Sequence, residues 1–138
     1  MNHTINNFFD KVYLINLKRR PDKLKTSSDL LKKFNIDFEV FEAVDFCDGI
    51  PADYYVQSFL TKVQPGAFGC LMSHLEIIKD AKEKGYNKIF IFEDDIAADD
   101  NFPIQFNTKV KDLPSDWKLF YLGASGHTGV PKKPITEH

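Results

Sequence analysis

The most pronounced feature of the hydrophobic pattern is an apolar run that stops abruptly in acids: Ile89-Phe90-Ile91-Phe92 after Lys88, then Glu93-Asp94-Asp95. Four unbroken large apolar residues, two β-branched and two aromatic, predict a strand buried on both faces, as inside a parallel sheet. A second run, Lys11-Val12-Tyr13-Leu14-Ile15-Asn16-Leu17, predicts the first strand. Pro21 then suits the first turn of a helix, and Leu24, Ser27 or Ser28, Leu31 and Phe34 follow at helical spacing. Residues 37–44 alternate loosely, with Phe38 and Val40 on one side and Glu39 on the other, which predicts a second strand ending at Ala43-Val44-Asp45. Strand, helix and strand in so short a stretch imply a right-handed βαβ unit, and both its strands end at the same sheet edge.

From Gly66 the pattern is helical again. Phe68, Leu71, Met72, Leu75 and Ile78 form the stripe expected to face the core, and Gly85 after Lys82-Glu83-Lys84 is the stop signal. This helix feeds the strand that ends in the acids and completes a second βαβ unit. Asp99-Asp100-Asn101 ahead of Phe102-Pro103 predicts another helix start, with Phe106 and Val110 facing inward, and residues 117–122 predict a fourth strand. Between 46 and 65, Asp48-Gly49 and Ile50-Pro51 signal turns in a connection long enough to be expected as a flap near the ligand edge. Residues 124–138, rich in Gly and Pro, are expected to be a tail. The predicted fold class is α/β, a mostly parallel sheet with flanking helices, in one domain over 1–138 with its core at 11–123.

Composition narrows the function classes. A content of 43% hydrophobic and 28% charged residues is that of an ordinary globular protein and excludes a disordered chain or a fibre. A net charge of -2 gives no basis for nucleic-acid binding, and no apolar stretch approaches the roughly 18 residues of a membrane span. The opening residues lack the basic start and apolar middle of a secretory signal, so the default compartment is cytoplasmic. Cys47 and Cys70 form no C-x-x-C pair and are not spaced with histidines in the manner of zinc ligands, so both are read as reduced structural thiols. Sixteen lysines stand against two arginines, and those two, Arg19 and Arg20, are adjacent just after the first strand.

In open α/β sheets ligands bind outside the carboxyl ends of the strands. Arg19 and Arg20 offer planar forks for phosphate oxygens there, or form an exposed basic loop that opens the helix. Asn16 offers an amide to a base or ribose, or shapes a turn; Asp45 offers a carboxylate to a ribose hydroxyl, or caps a loop. In extended backbone Glu93 and Asp95 share a face while Asp94 points away. Two such carboxylates make a hard oxygen site for Mn²⁺ or Mg²⁺ with positions left for pyrophosphate oxygens; the alternative is a solvated acidic turn. The absence of a glycine at the sharp turn excludes a calcium-binding EF-hand loop. His74 in the second long helix is either catalytic or a packed, hydrogen-bonded residue, and Ser73 beside it is a weaker candidate.

Four segments, taken in order and spacing, resemble glycosyltransferase family 25: Val12-Tyr13-Leu14-Ile15-Asn16-Leu17-Lys18-Arg19-Arg20-Pro21-Asp22, Ala43-Val44-Asp45, Gly66-Ala67-Phe68-Gly69-Cys70-Leu71-Met72-Ser73-His74, and Ile91-Phe92-Glu93-Asp94-Asp95. The family includes bacterial lipooligosaccharide galactosyltransferases and collagen hydroxylysine galactosyltransferases. The resemblance implies a GT-A-like, Rossmann-like nucleotide-sugar domain that transfers a hexose, galactose foremost, from a UDP-sugar to a glycan or protein-linked hydroxyl with manganese bound. It implies Asn16, Arg19, Arg20, Asp45 and Asp94 around the donor, Glu93 and Asp95 on the metal, and a helix motif containing Ser73 and His74. Family members run on well past the acidic motif, where acceptor contacts and the base of an inverting transfer are expected. This chain is therefore expected to be the donor-binding part, with Asp99, Asp100 and Asp116 as the remaining acids for a base. A nucleotide-sugar-binding module without transfer activity is the first alternative, and a metal-dependent phosphohydrolase the second.

Overall fold

A computed structural model describes residues 4–54 and 64–123. They fall into two compact units, one over Ile5–Ala98 and one that includes the residues from 99 onward. The first unit holds α1 (Ile5–Phe8), β1 (Lys11–Asn16), α2 (Pro21–Lys33), β2 (Glu39–Glu42), a single 3₁₀ turn (Ala52–Tyr54), α3 (Pro65–Glu83) and β3 (Ile89–Glu93). The three strands are all parallel in the order β2-β1-β3. Tyr13 pairs with Glu39 on one side and Ile91 on the other, so all three carboxyl ends, at Asn16, Glu42 and Glu93, reach the same edge. The α/β class, the parallel sheet and the flanking helices are as the pattern predicts.

β1 is the central strand. Its last five residues are all buried, whereas in β3 only Phe92 is. Burial on both faces therefore belongs to β1 and not to the run that ends in the acids. Both runs are equally apolar, and an apolar run does not encode which strand acquires two neighbours. Phe90 is instead covered by rings, stacked on Phe9 at 5.0 Å and tilted against Phe92 at 4.3 Å.

On one face of the sheet Tyr13 and Ile15 meet Ile77 of α3, with Phe41, Ala43, Ile89 and Ile91 packed around them. Tyr13 is fully buried, and its hydroxyl donates to Asp80 Oδ2 of the same helix at 2.7 Å. α3 buries Phe68, Gly69, Ser73, Ile77 and Ala81, while Leu71, Leu75 and Ile78 are 58%, 41% and 55% exposed. The predicted stripe is thus largely the outer side of the helix. The inner side runs at intervals of four through Gly69, Ser73, Ile77 and Ala81, and its small residues let the helix lie close to the backbone beneath. Hydrophobicity alone ranks those small residues below leucine and isoleucine.

Both long helices end in left-handed residues, Asn35 (φ 54°) after α2 and Gly85 (φ 74°) after α3. In each, an amide two positions past the last turn bonds back, Ile36 N to Leu31 O at 3.0 Å and Tyr86 N to Ala81 O at 2.9 Å. In the second unit α4 (Phe102–Lys109) and a following 3₁₀ turn bury Phe106 and Val110, as predicted. Residues 117–122 form no strand: they have no ladder partner, and Leu119 and Tyr121 are each 73% exposed. The expected flap between 46 and 65 begins as a packed segment, with Phe46 stacked on Phe68 and Tyr54 edge-on to both; residues 55–63 and the expected tail at 124–138 lie outside the described residues. Among the described residues no helix is long and apolar enough to cross a membrane.

Candidate functional site

At the carboxyl edge of the sheet an open cleft of ≈ 120 Å³ is lined by Ile15, Leu17, Arg19, Val44, Asp45, Gly66, Cys70, Glu93 and Asp94, among others. It draws on the ends of all three strands and on the start of α3. In this strand order the chain leaves β1 toward β2 and returns past it to β3, which places the cleft where ligands of open α/β sheets bind.

The loop after β2 is seated by α3. A Cβ on Gly69 would lie 2.5 Å from the Val44 carbonyl oxygen, so only glycine permits this approach. One turn on, the fully buried Ser73 hydroxyl donates to Gly69 O at 2.7 Å and accepts from Val44 N–H at 2.8 Å. Ser73, a catalytic candidate by sequence, is thus a clamp that fixes the residue before Asp45. Asp45 in turn accepts from Arg19 Nε at 2.6 Å and from Cys47 N–H at 3.0 Å. The guanidinium, and secondarily the amide, hold its carboxyl below the ordinary 3.8.

Asn16 is buried at the end of β1, and its Nδ2 donates to Asp94 Oδ2 at 2.6 Å and to Arg20 O at 3.0 Å. Asp94 is further fixed through its carbonyl, which accepts from the buried Ser27 hydroxyl at 2.8 Å. Asn16 therefore ties the first loop to the acidic segment. Arg20 is positioned differently from Arg19: its guanidinium grips Asp22 at 3.0 and 2.8 Å, drawing that carboxyl down to about 2, and it does not line the cleft.

Glu93 closes β3 while Asp94 and Asp95 follow in a turn, so the alternation that would set Glu93 and Asp95 on one face does not reach them, and Glu93 and Asp94 both line the cleft. Glu93 Oε1 lies 3.5 Å from Cys70 Sγ and 3.7 Å from His74 Nε2. Burial, then the charges of Glu93 and Asp95, push the Cys70 thiol up to about 11. Asp95 thus acts on the same thiol as Glu93, from an exposed turn. His74 Nδ1 lies 2.9 Å from the Cys70 carbonyl, which can only accept, so Nδ1 carries a hydrogen and Nε2 is turned toward Glu93. Both cysteines are unpaired, as the sequence suggests. A search for close C-x-x-C or C-x-x-H spacings passes over Cys70 because it and His74 are four apart, which on a helix is one face.

The structure thus brings Arg19, Asp45, Glu93 and Asp94 into one cleft with Asn16 directly behind, sets Asp95 and His74 at its acidic side, and turns Arg20 away. Three carboxylates face one guanidinium among the lining side chains. Such a cleft repels an anionic ligand unless a cation enters with it. Carboxylate oxygens are the donors that Mn²⁺ or Mg²⁺ prefers, and Glu93 and Asp95 are the pair the sequence offers for one.

Residues 9–128 match the family model described as "Glycosyltransferase family 25 (LPS biosynthesis protein)". The chain is 29% identical to procollagen galactosyltransferase 1-A of Xenopus laevis over 92% of this chain and 23% of that one. It is 28% identical to procollagen galactosyltransferase 2 of Mus musculus over 83% of this chain and 21% of that one. To the inactive glycosyltransferase 25 family member 3 of Homo sapiens it is 31% identical over 83% of this chain and 22% of that one. The chain spans less than a quarter of the length of these relatives.

Proposed function

The chain belongs to glycosyltransferase family 25, and from that premise we propose that its cleft binds a UDP-hexose, galactose foremost, as donor for transfer to a glycan or protein-linked hydroxyl. The observation that carries this reading is the meeting of Arg19, Asp45, Glu93 and Asp94 in one cleft at the ends of three parallel strands. Asp45, kept ionised by Arg19, accepts hydroxyl hydrogens of the ribose; Arg19 keeps further N–H donors for a phosphate oxygen. Asn16 holds Asp94 in place at the acidic end and so positions rather than contacts. Glu93 and Asp95 would hold Mn²⁺ or Mg²⁺, which supplies neutralisation of the leaving diphosphate.

The test is calorimetric titration of UDP-galactose into the chain with and without Mn²⁺. Binding that requires the metal and is lost in Asp95→Asn supports the assignment; equal affinity in both conditions sinks it. Labelled UDP-galactose with candidate acceptors then separates transfer from binding alone. A nucleotide-sugar-binding module is the second reading, favoured by one observation: among the relatives is one named inactive. Donor binding without labelled product selects that reading.

A further inference from the structure

We propose that Cys70, His74 and Glu93 form a zinc site that shares Glu93 with the hard oxygen pair proposed above. The ligand atoms of the three side chains lie within 4.8 Å of one another. Tetrahedral zinc, with Zn–S of ~2.3 Å, Zn–N of ~2.0 Å and Zn–O of ~2.1 Å, sets its ligand atoms roughly 3.3–3.6 Å apart. Two edges meet at Glu93 Oε1, 3.5 Å to Sγ and 3.7 Å to Nε2, and both match those of a bound ion to within tenths of an ångström. The third edge, Sγ to the imidazole, lies within 4.8 Å and closes as the Cys70 and His74 side chains, one helical turn apart, rotate onto the ion.

The surroundings of the imidazole point the same way. Metal-bound histidines characteristically donate their other ring N–H to a carbonyl or carboxylate, which fixes the ring and its tautomer. Here Nδ1 donates to the Cys70 carbonyl at 2.9 Å and leaves the lone pair of Nε2 directed to the side where Glu93 stands. The donor set of one sulfur, one nitrogen and one oxygen selects zinc over the hard cations, because thiolate is a poor ligand for Mn²⁺ or Mg²⁺. Three protein ligands leave a fourth position open, the arrangement of zinc sites that bind an exchangeable group rather than purely structural ones. Zinc and the Mn²⁺ proposed above share the Glu93 carboxylate and so compete for it, whereas the Arg19–Asp45 pair plays no part in the zinc site.

The experiment is a titration of the reduced, tag-free 138-residue chain with Zn²⁺ against a chromophoric chelator, and with Co²⁺ as a spectroscopic stand-in. One equivalent of zinc is expected, and the Co²⁺ form should show a thiolate charge-transfer band together with the intense visible bands of a tetrahedral ion. Cys70→Ser should abolish the charge-transfer band, and His74→Gln, at a ring one-third exposed, should weaken zinc by more than the roughly 10–100-fold that loss of an outer-shell partner costs. Cys47→Ser should change neither. Thermal midpoints without metal, equal to that of the parent, establish that the variants fold. No zinc taken from the chelator by the parent chain, or a charge-transfer band that survives Cys70→Ser, overturns the proposal. Metal-dependent donor binding that persists alongside that result would leave the assignment of the nucleotide cleft standing.

Discussion

Replacing Gly69 by alanine sets two known magnitudes against each other. In a helix interior alanine is favoured over glycine by about 1 kcal/mol. At this position, however, the new methyl carbon would sit 2.5 Å from the Val44 carbonyl oxygen, and that obstacle is backbone rather than the end of a flexible chain. Relief requires α3 and the loop after β2 to separate by nearly ~1 Å, and overpacking of this kind costs about 1–3 kcal/mol. Separation also stretches the Ser73–Val44 hydrogen bond of 2.8 Å, whose loss strands an amide at about 1–3 kcal/mol. The expected sum is a net destabilisation of roughly 1–5 kcal/mol, a fall in urea midpoint on the order of 1–2 M at typical slopes. Gly66→Ala is the matched control: it lies in the same helix with nothing within 4 Å of the added carbon, and is expected to be neutral or stabilising by up to about 1 kcal/mol. If the two variants unfold at the same midpoint, or Gly69→Ala is the more stable, the close approach does not seat the loop. Donor affinity should fall in Gly69→Ala, since Asp45 is the residue after Val44.

Two further outcomes follow from side chains that link elements. Asp10 accepts from the amides of Lys88 and Asn87, at 2.9 and 2.7 Å, which holds its carboxyl below 3.8. A carboxyl depressed on folding stabilises fully above its unfolded value, and the stabilisation drains as pH falls through the lower folded value. Asp10→Asn should therefore unfold more easily than the parent near pH ~7, and the gap should narrow as pH falls below 3.8 through the lowered folded value, read from urea midpoints; a gap that does not narrow on acidification refutes this. Tyr13→Phe removes the 2.7 Å bond to Asp80 from a fully buried ring and should cost about 1–2 kcal/mol with donor binding intact, an expectation that unchanged thermal unfolding would contradict.

What the sequence discloses and what it conceals divide along physical lines. β1 is legible because burial on both faces demands an unbroken run, and both helix ends of the first unit carry residues that accept positive φ. The carboxyl edge is legible for the same reason: parallel strands end together, so Asn16, Asp45 and Glu93 had to converge. Strand order is not encoded in an apolar run, which is why β3 reads as central. The packed side of α3 escapes hydrophobic periodicity because Gly69, Ser73 and Ala81 are chosen for small size. Pairings chosen among equals escape as well: adjacent arginines look alike, yet one bonds across to Asp45 and the other turns to its neighbour Asp22.

The two ties that build the cleft close loops of very different length. Arg19 and Asp45 are 26 residues apart, Asn16 and Asp94 are 78. Loop-closure entropy grows with the logarithm of length, so the longer tie costs roughly 1 kcal/mol more to draw shut. During folding the β1–α2–β2 portion, with its guanidinium–carboxylate pair, is thus favoured to form as the nucleus. On that entropic ordering the acidic end of the cleft arrives with β3, so the cleft is complete only once the longer loop has closed.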